Sequence, residues 1–118
     1  MVKLECWLPN KEMFGVFALG SVTCRDQTLK IVMTNEVYKV TISFLGSIKS
    51  YEVTETVRKA AWLDALRADY GVLMRGNTFF RLLDARSEAR YLIVAPNYVA
   101  QIDTDAQPSV TLEKAEKG

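Results

Sequence analysis

A chain of 118 residues, 49% hydrophobic and 25% charged, has the size and composition of one globular domain, with no room for a second core. Its net charge of +1 supplies no field to draw nucleic acid or an anionic membrane. The chain also has no histidine, which excludes Ser-His-Asp and Cys-His nucleophile systems and most imidazole-based zinc sites.

The first half reads as β. Val2, Leu4, Cys6 and Leu8 alternate with Lys3, Glu5 and Trp7, which predicts a half-buried strand ended by Pro9-Asn10. Phe14 to Thr23 reads as a second strand, loosened by Gly15 and Gly20, and Arg25-Asp26-Gln27 as a polar turn. Leu29, Ile31 and Met33 then share one face. Asn35-Glu36 turns the chain into Tyr38, Val40, Ile42 and Phe44, opposed by Lys39, Thr41 and Ser43. Such strict alternation predicts an antiparallel sheet with one wet face. Gly46 interrupts the pattern, and β character resumes through Ile48, Tyr51 and Val53. One long bent strand, or two strands meeting at a corner, is expected there.

A helix is predicted from about Thr56 to Tyr70, with Thr54 or Thr56 as its cap and Gly71 as the left-handed residue after its end. Trp62, Leu63, Leu66 and Tyr70 form the stripe that covers the sheet. Ala61, Ala65 and Ala68 lie on another face, small enough for a second helix or a partner surface to approach closely. Beyond the helix, Val72-Leu73-Met74 and Phe79-Phe80-Arg81-Leu82 flank Arg75-Gly76-Asn77-Thr78, which reads as a tight hairpin. Asp84 is placed to cap a short helical turn through Ala89. Tyr91 to Ala95 and Tyr98 to Ile102 read as strands joined at Pro96-Asn97.

The expected fold is α+β: a mostly antiparallel, strongly bent sheet of about six to eight strands, with one principal helix packed on it and a tendency to a half-barrel. Residues 1–103 form the domain and 104–118 a polar C-terminal tail, with Val110 and Leu112 able to add an edge strand instead. Cys6 and Cys24 are far apart and outside any C-x-x-C spacing, so two buried free thiols are expected. The N-terminal residues lack a basic region followed by an apolar one, which points to the cytoplasm and away from membranes.

No pattern names a reaction, so no catalytic, cofactor or metal site is expected. Arg75-Gly76-Asn77-Thr78-Phe79-Phe80 superficially looks like the strand motif of RNA-recognition domains, but Asn77 stands where an aromatic should follow the glycine. RNA binding and histidine-free catalysis therefore rank below two other readings. The first is a non-enzymatic interaction module that self-associates as a homodimer or caps a partner protein. Its candidate contacts are Trp7, on the strand face that carries Lys3 and Glu5, and the alanines Ala61, Ala65 and Ala68. The second is a small-molecule-binding domain with an apolar pocket between sheet and helix, an arginine fixing an anionic group. Arg75 and Arg81 are the candidate anion or partner contacts. The arginines concentrate from Arg58 onward, with Arg25 alone before it.

Overall fold

Nine strands and one helix, in three layers, make up the described part of the chain. The structure is a computed structural model that describes residues 3–45, 48–55, 61–83, 89–104 and 108–115. The strands are β1 (Lys3–Cys6), β2 (Ala18–Arg25), β3 (Thr28–Thr34), β4 (Tyr38–Leu45), β5 (Ile48–Glu55), β6 (Phe79–Leu83), β7 (Ala89–Val94), β8 (Tyr98–Thr104) and β9 (Ser109–Lys114). The helix α1 spans Ala61–Met74. One sheet has the order β1-β6-β7-β8-β5 and the other β2-β3-β4-β9, with every pairing antiparallel. The fold is α+β with antiparallel sheets, as expected. It differs in that the strands divide between two sheets, neither closed nor strongly curled.

The division follows from side-chain parity. In the four-stranded sheet, Leu29, Ile31, Met33, Val40, Ile42 and Phe44 all point inward and are fully buried, while Lys30, Thr41 and Ser43 take the opposite phase. The five-stranded sheet has no such wet face at its centre. Phe79, Tyr91, Ile93, Ala100 and Ile102 pack against the four-stranded sheet, and Leu4, Phe80, Leu92 and Val99 pack against α1. The chain leaves one sheet at Leu45 and enters the other at Ile48. The corner expected near Gly46 is therefore a change of sheet, although Gly46 itself lies outside the described residues.

Several local readings change. β2 begins at Ala18 and not Phe14, because a single 3₁₀ turn at Lys11–Met13 and an irregular stretch precede it. Asp26 and Gln27 have φ of 51° and 62°, the left-handed pair that a two-residue type I′ turn requires between β2 and β3. The expected hairpin about Arg75–Thr78 is absent: Val72, Leu73 and Met74 are the last residues of α1, and residues 75–78 lead from the helix into β6. Gly71 lies inside the helical span. Gly76, with φ of 75°, takes the left-handed position after the end. Thr54 belongs to β5, and the expected helix start at Thr56, like Asp84 and its short turn, lies outside the described residues.

Of the two readings of the C-terminal segment, a polar tail and an edge strand through Val110 and Leu112, the described residues form the strand. Ser109–Lys114 forms the edge strand β9 on β4, with Val110 opposite Ile42 and Leu112 opposite Val40. Both side chains pack on the inter-sheet core. That burial outweighs the polar composition of the segment. The thiols are free but not both buried: Cys6 is half-buried and Cys24 exposed, and they sit in different sheets.

Candidate functional site

The end of α1 gathers the exposed groups most suited to binding. The helix seats on the five-stranded sheet through Leu63, Leu66, Tyr70 and Met74. This is the expected stripe extended by one turn; the side chain of Trp62 lies outside the described set. At Tyr70 the backbone departs from helical geometry, with φ of −126° and ψ of 22°. The last turn is therefore re-aimed. Val72 is left 90% exposed and Leu73 37%.

Two open grooves adjoin this turn. One, of about 400 Å³, runs between the helix end and the β7–β8 turn. Met74, Val94, Ala95 and Val16 supply its apolar surface, and Arg67, Arg75 and Asn77 its polar one. The other, of about 670 Å³, lies along Arg67, Ala68, Asp69 and residues 70–73, and also reaches Arg75. Arg67, Gly71 and Arg75 are common to both. Val16 is 51% exposed at the first groove. Asn77 donates to the Leu73 and Arg75 carbonyls at 3.2 and 3.5 Å, and its buried Oδ1 has no hydrogen-bond partner. An unpaired buried acceptor is costly unless a donor arrives.

Two side chains hold the Gly15–Leu19 segment in place against this region. Thr78 Oγ1 accepts from the Phe17 N–H at 2.9 Å and donates to the Gly15 carbonyl at 3.0 Å. Asn97, in the β7–β8 turn, engages the Leu19 N–H and carbonyl, each at 3.1 Å. The scaffold around the first groove is thereby fixed from the side opposite the helix.

The sequence candidates do not converge on one place. Arg75 and Ala68 line the same groove. Ala65 is exposed, on the helix face turned from the sheet with Asp64; the side chain of Ala61 lies outside the described set. Trp7 is not on a wet face. The phase it shares with Glu5 is the inter-sheet phase, where its ring meets Tyr91 edge-on at a centroid distance of 4.9 Å.

Arg81 points the same way and forms an ion pair with Glu5, with Nε at 2.9 Å from Oε1. The Glu5 hydrogen bond, offset in part by burial and helped by the Tyr91 phenol, raises the Arg81 pKa above the ordinary arginine range. Its charge is already answered inside the sandwich. Burial and the nearby Glu5 push the Cys6 thiol up as well, which disfavours the nucleophilic thiolate.

The carboxylates Glu52 and Asp103 have structural partners. Glu52 accepts from the Thr54 hydroxyl at 3.0 Å, and Asp103 pairs with Arg90 at 2.6 Å and accepts from Ser50 at 3.2 Å. Among the described residues, no three acidic or thiol side chains are grouped to hold a metal ion. No helix of the described residues is long and apolar enough to cross a membrane.

Sequence reasoning missed Arg67, Val16 and Val72 as site residues. The sequence pattern places Val72 in a strand, which gives it no reason to be exposed. Comparison of the chain with models of known protein families, with curated proteins and with solved structures gives no match.

Proposed function

We propose that this protein is a non-enzymatic interaction module that binds a partner protein through the end of α1. The observation that carries this reading is the exposed apolar surface of Val72, Leu73 and Val16 beside the cationic pair Arg67 and Arg75. A side chain as apolar as valine, 90% exposed on a re-aimed helical turn, contributes nothing to the fold and gains on being covered. Arginine beside apolar surface is also the composition of protein interfaces. Two arginines against the single carboxylate of Asp69 leave a local positive excess. The complementary partner is a protein segment that presents apolar side chains together with a carboxylate.

The test is selection from a library of displayed peptides, followed by titration of the enriched ones against variants. Enriched sequences should combine an apolar residue with Asp or Glu. Val72→Asp and Arg75→Glu should each weaken binding at least tenfold, about 1.4 kcal/mol, with unchanged circular dichroism. No enrichment of acidic–apolar peptides, or equal binding by both variants, overturns the reading.

A second reading, a small anionic ligand in the groove of about 400 Å³, is favoured by one observation: Arg67 and Arg75 both line that cleft. Native mass spectrometry of the purified protein would display such a ligand as a mass adduct that Arg75→Glu abolishes.

A further inference from the structure

The four-stranded sheet ends on one side at β2, and no described strand lies beyond it. Alternate residues of an antiparallel edge strand turn their N–H and C=O groups toward the neighbour and toward open space. Two observations fix which do which. Arg25 and Thr28 close a two-residue turn, which makes them a hydrogen-bonded pair. Cys24 and Val22, opposite Leu29 and Ile31, therefore direct their backbone groups outward. Past the bulge between Leu19 and Ser21, Leu19 is outward too, and there the Asn97 carboxamide takes both its N–H and its carbonyl. The Asn97 side chain does at Leu19 what a neighbouring strand would do. At Val22 and Cys24 no described residue does it.

We propose that a second copy of the chain completes this edge: β2 pairs with β2 of the second copy, antiparallel, about a two-fold axis at Thr23. In that register Val22 of each copy faces Cys24 of the other, and all four outward N–H groups find a carbonyl. Thr23 meets its own counterpart on the wet face, a favourable cross-strand pair. Arg25 falls opposite Ser21, so no like charges are opposed. Val22, half-buried, and Cys24, exposed despite its inward phase, gain cover. The contact presents one patch twice and closes as a dimer.

The other edges are defended. β9 follows Pro108 and ends in Glu113-Lys114, β5 carries Glu52 and Glu55 with a register shift at its start, and β1 is four residues long. Beyond its bulge, β2 carries only Arg25 as a charge.

Sedimentation equilibrium from the micromolar to the hundreds-of-micromolar range should give twice the 13.3 kDa chain mass at the upper end. Thr23→Glu sits opposite Lys30 within the chain, which favours the fold, yet places two carboxylates across the two-fold axis. It should weaken the dimer at least tenfold. In a Cys24→Ser background, Thr23→Cys should give a disulfide-linked dimer on mild oxidation, because residues in a non-hydrogen-bonded pair stand about 4.5 Å apart at Cα, within the reach of a disulfide. A monomer at every concentration overturns the proposal, as does a dimer that Thr23→Glu leaves unchanged. A dimer that Thr23→Glu weakens but Thr23→Cys fails to cross-link overturns the register.

Discussion

The two faces of the five-stranded sheet are covered by different partners, and the difference shows where this molecule is finished and where it is not. Against the four-stranded sheet the seam is filled by rings: Phe17 meets Phe79 at 5.4 Å, and Phe44 meets Tyr91 at 5.4 Å. Phe17, Phe79 and Phe44 are fully buried there and Tyr91 nearly so. Against α1, among the described side chains of the helix, Leu63 and Met74 are buried and Leu66 and Tyr70 half-buried, and the seam opens into a groove at its end. A sheet buries one continuous face against another, whereas one helix covers only a stripe about 10 Å wide. The helical side is accordingly where Val72, Leu73, Arg67 and Arg75 remain exposed.

The largest expected effect lies in the inter-sheet seam. Phe44→Ala should cost about 3–5 kcal/mol, the range for emptying a fully buried aromatic site. Denaturant unfolding with an unchanged slope would measure it. Next comes the tie that holds the Gly15–Leu19 segment over the seam. Thr78 is buried, and Thr78→Val strands the Phe17 N–H and the Gly15 carbonyl without their partner. A loss of about 1–3 kcal/mol is expected. Hydrogen exchange should show Phe17 as the amide whose protection falls most.

Leu66→Ala tests the other seam. A half-buried leucine loses less than a fully buried one, so about 1–2 kcal/mol is expected. A loss equal to that of Phe44→Ala would mean that the helix is seated as firmly as the second sheet, and would break the comparison.

How much of this was legible depended on how local the determining physics is. The inward phases of Leu29–Met33 and Val40–Phe44 follow from period-two alternation alone, and each of those inward side chains is fully buried. The stripe Leu63, Leu66, Tyr70 followed from helical periodicity in the same way. Two sheets instead of one bent sheet could not be read off, because alternation identifies a strand's faces without saying what covers each. Trp7 shows the cost: its phase was legible, but the sheet above it was not.

The groove was missed for a different reason. Gly71 has the chemistry of a helix end, yet the chain continues through it to Met74 and uses Gly76 instead. That one-turn difference moved Val72 and Leu73 from an imagined strand to an exposed helical surface. Ser109–Lys114 is only half legible, since its polar composition reads as a tail and Val110 and Leu112 alone signal the strand that reaches the core.

The smallest expected effect sits at the rim of the inter-sheet seam, where Tyr38 packs on the core and its phenol hydrogen-bonds the Glu12 carboxylate of the 3₁₀ turn. That hydrogen bond first, with the Glu12 charge and burial adding to it, raises the phenol pKa above the ordinary tyrosine range. A phenol whose folded pKa is raised favours the fold in its neutral form. Its contribution is complete below pH 10 and is lost as pH climbs through the folded value. Wild type should therefore melt slightly above Tyr38→Phe at neutral pH, and the two should converge as pH rises beyond 10. Paired thermal melts across that range provide the measurement. Parallel curves, with an offset that alkali does not reduce, would show that the phenol contributes by packing and not through Glu12.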